Sequence, residues 1–443
     1  MILLFWQAVK QILHKSAAAE AAAKVLLLTE GLAVGALIHG GVHFVSTYQD
    51  TLQGAVVSIL AVICALGDSA LDALIRMAAH NDFLLFERFS NSMPRIAALS
   101  LEVFYWFEIY FHNILWYNSR KEGGASMEIN KKILIDTDIG DDIDDTVALL
   151  SAMAHGFEIV GVTTVFRDTV ARAAMVKKEM RAFGGGYEKV PVYAGYSAYT
   201  TDKEENTEHM CRFGKDLAVP ELAPVNTDPE EAVDFILDCC HRYGKDLTVI
   251  AIGPFCNIAK AIEKDPEALN SAAQVVIMGG AYFKQYADWN VMCDVPAADM
   301  MFRSLRNLHC IGADVTHKLA SDYLKPLLAK AEDGVLGYVG AQYRQWQQDY
   351  PQNSIVLHDS LTIYYVADPT VCDMVRIPVK VITEGFAKGF TLNVDAYGKA
   401  SLNSAYQDFD REHKVLAAAD VDLTKFHSFI RQDICTCSDT KLS

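Results

Sequence analysis

Cysteine is scarce: the chain has ten in 443 residues, and none follows the spacing of a metal finger or a disulfide framework. Cys239 and Cys240 are sequence neighbours, and Cys435 and Cys437 fall in the last few residues, so reduced thiols in a cytoplasmic protein are expected. Positive charge is also short. Lys and Arg number 39 against 56 Asp and Glu, a formal net charge of −17. That is the wrong sign for a protein that must displace counterions from a phosphate backbone, so nucleic acid is not expected as a partner. The Walker A pattern and Gly-x-Gly-x-x-Gly are missing too; Gly184-Gly185-Gly186 has no strand before it. No basic residue precedes the apolar run Met1-Ile-Leu-Leu-Phe-Trp6, which argues against a secretory signal.

What is present divides into two kinds of polypeptide. Residues 1–126 hold eight Lys/Arg and ten Asp/Glu, which leaves −15 of the charge on 127–443. The first part is apolar and rich in Ala, Leu and aromatics, and Ser16 to Lys24 is a strong helix former. From Gly31 to Gly67 only Asp50 is charged, and the stretches on either side of it approach the length that crosses a bilayer core. His39, His43 and four glycines in the first stretch weigh against a membrane span, as do Glu108 and His112 in a third apolar stretch, Val103–Trp116. An apolar helical extension is expected there, with membrane contact through 1–126 left open. Residues 120–126 read as a polar, Gly-containing linker, and Met127 opens a strand-forming segment, so Met127 is a candidate natural start.

From 127 onward strands and helices alternate. Lys132–Asp136, Glu158–Val165, Val190–Tyr193, Leu247–Ile252, Ala273–Met278 and Leu308–Ile311 are short apolar runs separated by helical patterns, the first of which opens near Thr146. Such spacing predicts an α/β fold with a mostly parallel sheet and right-handed crossovers. Ligands of open parallel sheets bind beyond the carboxyl ends of the strands, which makes the residues just after each strand the ones to inspect.

The first of those positions is the sharpest feature in the chain. Asp136, Asp138, Asp141, Asp142, Asp144 and Asp145 place six carboxylates in ten residues at a strand-to-helix turn. Capping and helix-dipole complementation account for one or two of them, at about 0.3–1 kcal/mol each. Two carboxylates about 6 Å apart repel by roughly 3 kcal/mol at an effective dielectric near 20, so a turn gathering four or more requires protons or a bound cation. Oxygen donors in irregular geometry favour Ca2+ over Mg2+. An Asp-x-Asp after a strand also opens haloacid-dehalogenase-like phosphoryl-transfer enzymes, but those continue with Gly-Thr, where this chain has Gly140-Asp141.

The ordered motifs of 127–433 resemble the inosine-uridine nucleoside hydrolases. Asp136-Thr-Asp138-Ile-Gly140 with Asp144-Asp145-Thr-Val-Ala-Leu is similar to that family's aspartate cluster. Gly161-Val-Thr-Thr-Val165 followed by Asp168 looks like its second strand and ribose-side loop. Ala251-Ile-Gly-Pro-Phe-Cys-Asn-Ile-Ala259 and Val275-Val-Ile-Met-Gly-Gly280 resemble the central strands. Asp288-Trp-Asn290 with Asp294-Val-Pro-Ala-Ala298, and His358-Asp359 with Asp368-Pro369, resemble the later motifs. The departures are two extra residues between Gly140 and Asp144-Asp145, Ile139 in place of Pro, Asp168 in place of Asn, Asp288 in place of Glu and Ile252 in place of Thr. The insertion leaves Asp142 as an alternative ligand; Asp144 and Asp145 are favoured because the other alignment puts Ile143 in a ligand position.

The resemblance implies a Rossmann-like nucleoside hydrolase fold for 127–443 and hydrolysis of the N-glycosidic bond of ribonucleosides, a reaction of purine and pyrimidine salvage. It implies Ca2+ held by Asp138, Asp145, the Ile252 carbonyl and Asp359, with Asp138 doubling as general base. Asp144, Asp168, Asp288 and Asn290 are expected to contact ribose hydroxyls, and His358 to serve the departing base as a proton donor near neutrality. Negative charge near an oxocarbenium-like transition state favours the same reaction. A homo-oligomer is expected. The rival readings are a non-catalytic calcium- or nucleoside-binding protein of the same fold and a hydrolase tethered to a membrane through 1–126. Residues 200–217, with His209, read either as a flap or as a solvated loop. Tyr343, Trp346 and Tyr350 lie near helical spacing and read more readily as packing than as a base-stacking surface.

Overall fold

The structure is a computed structural model that describes residues 131–198, 222–395 and 412–439. The expectations for 1–126, for a start at Met127 and for a flap at 200–217 lie outside those residues. Among the described residues no helix is long and apolar enough to cross a membrane.

Six strands run parallel: β1 (Lys132–Thr137), β2 (Glu158–Thr164), β3 (Val192–Ala194), β4 (Leu247–Ala251), β5 (Gln274–Met278) and β6 (Leu308–Ile311). They fall where the apolar runs predict them, with ends shifted by a residue or two. Between and after them come α1 (Asp144–Ala154), α2 (Thr169–Phe183), α3 (Glu230–Tyr243), α4 (Cys256–Lys264), α5 (Val295–Ser304), α6 (Gly334–Asp349), α7 (Ser360–Ala367) and α8 (Leu423–Asp439). Four further strands complete the sheets. β10 (Val415–Val421) pairs parallel with β6, and β7 (Cys372–Ile377) runs antiparallel to β10 at the sheet edge. β8 (Val379–Val381) and β9 (Thr391–Asn393) form a separate antiparallel pair. The main sheet has the order β3-β2-β1-β4-β5-β6-β10-β7.

Alternation along each strand feeds two cores. Ile133 and Ile135 of β1, Ile250 of β4 and Val276 of β5 face the side covered by α1, α2, α6, α7 and α8. Leu134, Val249, Val275 and Ile277 face the side covered by α3, α4 and α5. Strands buried on both faces read as continuous apolar runs, which is why the central ones were visible in the sequence. The chain leaves β1 toward β2 and β3 on one flank, then returns to place β4 on the other flank. β1 therefore borders the point where strand order reverses, the usual site of a ligand crevice.

Candidate active site

The acidic turn follows directly from the end of β1. Gly140 takes a positive φ of 118°, turning the chain back so that α1 begins at Asp144. Asp144 and Asp145 occupy the first turn of α1, where the helix dipole favours negative charge, yet both are buried. Asp359 stands at the N-cap of α7, which packs beside α1. One carboxylate oxygen from each of Asp144, Asp145 and Asp359 lies within 4.8 Å of the others. Burial pushes all three carboxyls well above the usual carboxylate range, and each is raised further by a neighbouring acid. Asp144 and Asp359 also share a hydrogen bond. Asp138 adds to the repulsion on all three and is itself raised to about 7 by burial, partly offset by the Arg172 guanidinium.

The donor set fits a hard cation. It is all oxygen, buried and anionic, and protonation is the only other relief for charges this close. Thr137 Oγ1 donates to Asp145 Oδ1 at 2.5 Å, which fixes that carboxylate. Gly253, after β4, lets that loop approach. A Cβ there would sit 2.9 Å from Asp138 Oδ1, so the segment following the Ile252 carbonyl lies against Asp138. The Ile252 carbonyl already accepts from Asn290 Nδ2 at 2.9 Å and keeps a second lone pair.

The remaining predicted residues have local duties of their own. Asp142 is exposed and accepts from the Ile143 amide at 2.6 Å and from the Trp346 indole, which leaves it out of the three-carboxylate group. The side chains of Asp168 and Asp288 both cap helices, accepting from Ala171 N at 3.0 Å and Val291 N at 3.2 Å. Asn290 donates to the Met278 carbonyl as well, at 3.1 Å, and so ties the ends of β4 and β5 together. Burial raises the Cys293 thiol, and Asp138 and Asp288 both raise it further. His358 accepts from or donates to Thr316 Oγ1 through Nδ1 at 2.6 Å, and the His317 ring lies edge-on to it at 5.3 Å. Burial, reinforced by His317, pushes the His358 imidazole down to about 4, so the ring is neutral at pH 7. Tyr343 and Trp346 are buried in the core, with Tyr350 packed against it.

Two side chains have roles that the sequence does not assign them. Asp136, beneath the turn, is fully buried and is held by Thr163 Oγ1 at 2.6 Å and Asn257 Nδ2 at 2.8 Å, linking β1 to β2 and α4. Arg172 of α2 has no exposed surface and reaches back to the turn from the opposite side. Beside it Phe166 and Arg167 adopt left-handed φ values of 69° and 59°, a conformation that costs roughly 1–2 kcal/mol per residue without Gly. The one sequence signal for Arg172 was an arginine set among Ala171, Ala173 and Ala174.

Buried carboxylates gathered at the carboxyl edge of a mostly parallel sheet give a Rossmann-like scaffold with an all-oxygen donor set suited to a hard cation. The family model described as inosine-uridine preferring nucleoside hydrolase matches residues 133–428. The inosine-uridine preferring nucleoside hydrolase of Crithidia fasciculata is 26% identical over 322 residues, covering 68% of this chain and 96% of that relative. The probable uridine nucleosidase 1 of Oryza sativa subsp. japonica is 26% identical over 325 residues, covering 70% and 98%. Among solved structures, the purine-preferring ribonucleoside hydrolase from Gardnerella vaginalis superposes with a TM-score of 0.56 at 26% identity, covering 70% of this chain and all of that one. A plant nucleoside hydrolase at 23% identity and a TM-score of 0.58 shares the fold. The chain belongs to the inosine-uridine preferring nucleoside hydrolase family and is an enzyme of the N-ribosyl hydrolase class.

Proposed function

We propose that the chain cleaves the N-glycosidic bond of ribonucleosides to free base and ribose, with Ca2+ held by Asp138, Asp145, the Ile252 carbonyl and Asp359. The observation that carries this reading is the convergence of Asp144, Asp145 and Asp359 within 4.8 Å, with Asp138 close enough to act on each of them. When bound there, the ion supplies charge neutralisation, an acidified water and a grip on sugar hydroxyls. The protein supplies the rest. Asp138, with a carboxyl near 7 in the ion-free protein, takes a proton from the water that attacks the anomeric carbon. Asp144, Asp168, Asp288 and Asn290 orient the ribose, a contribution that reaches several kcal/mol when reacting atoms are fixed. The surrounding carboxylates favour the cationic sugar that forms as the bond lengthens.

His358 enters in an altered role. A neutral imidazole with a pKa near 4 is a poor reservoir of protons at pH 7, but its N–H is a hydrogen-bond donor for the charge that develops on the departing base.

The full chain, incubated with a panel of purine and pyrimidine ribonucleosides with Ca2+ or with chelator, is expected to release reducing sugar only with the ion. Asp138→Asn is expected to lower that release by about 10²–10⁴-fold with the fold intact, the usual size of a general-base term. No sugar from any nucleoside, or undiminished release by Asp138→Asn, refutes the reading. Binding without turnover would favour the non-catalytic alternative.

A further inference from the structure

Arg172 is fully buried and, besides its ion pair with Asp141, gives its remaining donors to main-chain oxygens. Its Nη1 donates to the carbonyls of Asp138 and Ile139, the latter at 2.8 Å. Its Nε donates to the Phe166 carbonyl at 2.8 Å, and its Nη2 to Asp141 Oδ2 at 2.9 Å. Three of these acceptors lie on the turn after β1 and one on the loop after β2. A planar guanidinium presents its donors in a fixed fork, so acceptors bound on several of its edges are held in one geometry. The loop after β2 is also held by a second segment. The amides of Phe166 and Arg167 donate to the carbonyls of Tyr196 at 2.9 Å and Ser197 at 3.0 Å. Two consecutive left-handed residues persist only where their surroundings over-determine them, and Arg172 does so at the Phe166 carbonyl and the 196–197 segment at the two amides. The residue that follows the strained pair is Asp168, whose carbonyl accepts the Arg172 amide one helical turn on.

We propose that Arg172 is a positioning residue that joins the cation-binding turn after β1 and the sugar-facing loop after β2 into one rigid unit. Affinity for Ca2+ and for the ribose then depend on the same side chain. The cation half rests on the geometry of the turn; the sugar half rests on the hydrolase reading above. Arg172 itself touches neither ion nor substrate. Its place is that of the hydrogen-bonding shell behind metal ligands, whose loss typically costs about 10–100-fold in metal affinity or activity.

The test uses the full chain as wild type, Arg172→Lys and Asp141→Asn. Lys keeps the charge but lacks the fork; Asp141→Asn weakens the outer end of the clamp at a half-buried position, so it remains informative if the lysine variant does not fold. Four quantities are measured: the Ca2+ Kd by calorimetry, the Ca2+-induced rise in Tm above the ion-free Tm, and KM and kcat for the best-cleaved ribonucleoside. Arg172→Lys is expected to weaken Ca2+ binding about 10–100-fold and to raise KM, with Asp141→Asn shifted less in the same direction. A purely structural role lowers the ion-free Tm while leaving the Ca2+ increment, the Kd and KM at wild-type values, and that result overturns the proposal. So does a wild type that binds no Ca2+. If wild type binds Ca2+ but cleaves no nucleoside, the hydrolase reading fails, and the Ca2+ titrations alone decide for or against the clamp.

Discussion

Replacing Asp145 with Asn is expected to stabilise the ion-free protein and at the same time remove its response to Ca2+. The carboxylate oxygens of Asp144, Asp145 and Asp359 lie within 4.8 Å of one another. At that separation and an effective dielectric near 20, two unit charges repel by about 3.5 kcal/mol, so Asp145 faces up to about 7 kcal/mol from its two neighbours when all are ionised. Protons relieve much of this, because burial and mutual repulsion raise each carboxyl. A remaining share of only about 1–2 kcal/mol is enough to dominate the change in stability. Asn is nearly isosteric, and its Oδ1 still accepts from Thr137 Oγ1, the bond that Asp145 makes at 2.5 Å. Relief of repulsion therefore dominates, and Tm in chelator should rise by about 2–6 °C. In Ca2+ the order inverts: wild type gains about 2.7 kcal/mol at a hundred times its Kd, while the variant, short of a ligand, gains little. Differential scanning fluorimetry at pH 8 across a Ca2+ series reads both effects as two crossing curves. A lower Tm for Asp145→Asn in chelator, or an unchanged Ca2+ increment, refutes the assignment of Asp145 to a cation site.

Asn290→Ala removes the donor for the buried carbonyls of Ile252 and Met278, and should cost about 2–4 kcal/mol in chemical denaturation along with a loss in kcat/KM. Wild-type stability in that variant would show that the amide does not join β4 to β5. His309 sets an acid limit away from the site. Burial and Arg376 push its imidazole down to about 4, and Tyr365 Oη lies 2.8 Å from Nδ1. A depressed histidine means the folded state prefers the neutral ring. Its contribution is therefore present above about pH 6.5 and is lost as pH falls from there through 4, by up to about 3 kcal/mol. His309→Gln should flatten that limb of the stability curve; equal slopes for the two proteins between pH 4 and 6.5 would contradict the shift. His358 adds a loss of the same sign at the same pH, so the limb is shallower in His309→Gln without being abolished.

The fold was legible where burial on both faces produced uninterrupted apolar runs, as in β1, β4 and β5. It was not legible at the sheet edge. β7, Cys372-Asp-Met-Val-Arg-Ile377, is largely exposed and carries Asp373 and Arg376, so it shows neither an apolar run nor clean alternation. β10, Val415-Leu-Ala-Ala-Ala-Asp-Val421, is rich in alanine and by local propensity suits a helix. Its strand conformation comes from pairing with β6 on one side and β7 on the other, partners that are distant in sequence. Tertiary pairing overrides local preference there.

The site shows the same division more sharply. Six carboxylates in ten residues announced a need for compensation, but not how the need is shared. The structure gives four of them hydrogen-bond partners within the protein: Asp136 takes Thr163 and Asn257, Asp141 takes Arg172, Asp142 takes the Ile143 amide and Trp346, and Asp145 takes Thr137 through one oxygen. In the proposed reading the charge left for an ion is that of Asp138, Asp144 and Asp145, and α7 adds Asp359 to Asp144 and Asp145 from more than two hundred residues away. Helix phase explains the choice between Asp142 and its neighbours: Asp144 and Asp145 lie in the first turn of α1 and are buried, whereas Asp142 precedes the helix and is exposed. Arg172 was hidden for the opposite reason, because an arginine among alanines on a helix is ordinarily solvated and its acceptors lie about thirty residues away. Acidic residues that compete for a cation are readable from their crowding; the cation that the chain itself provides, and hence how much compensation is left to an ion, is fixed only by the packing of α2 against the turn.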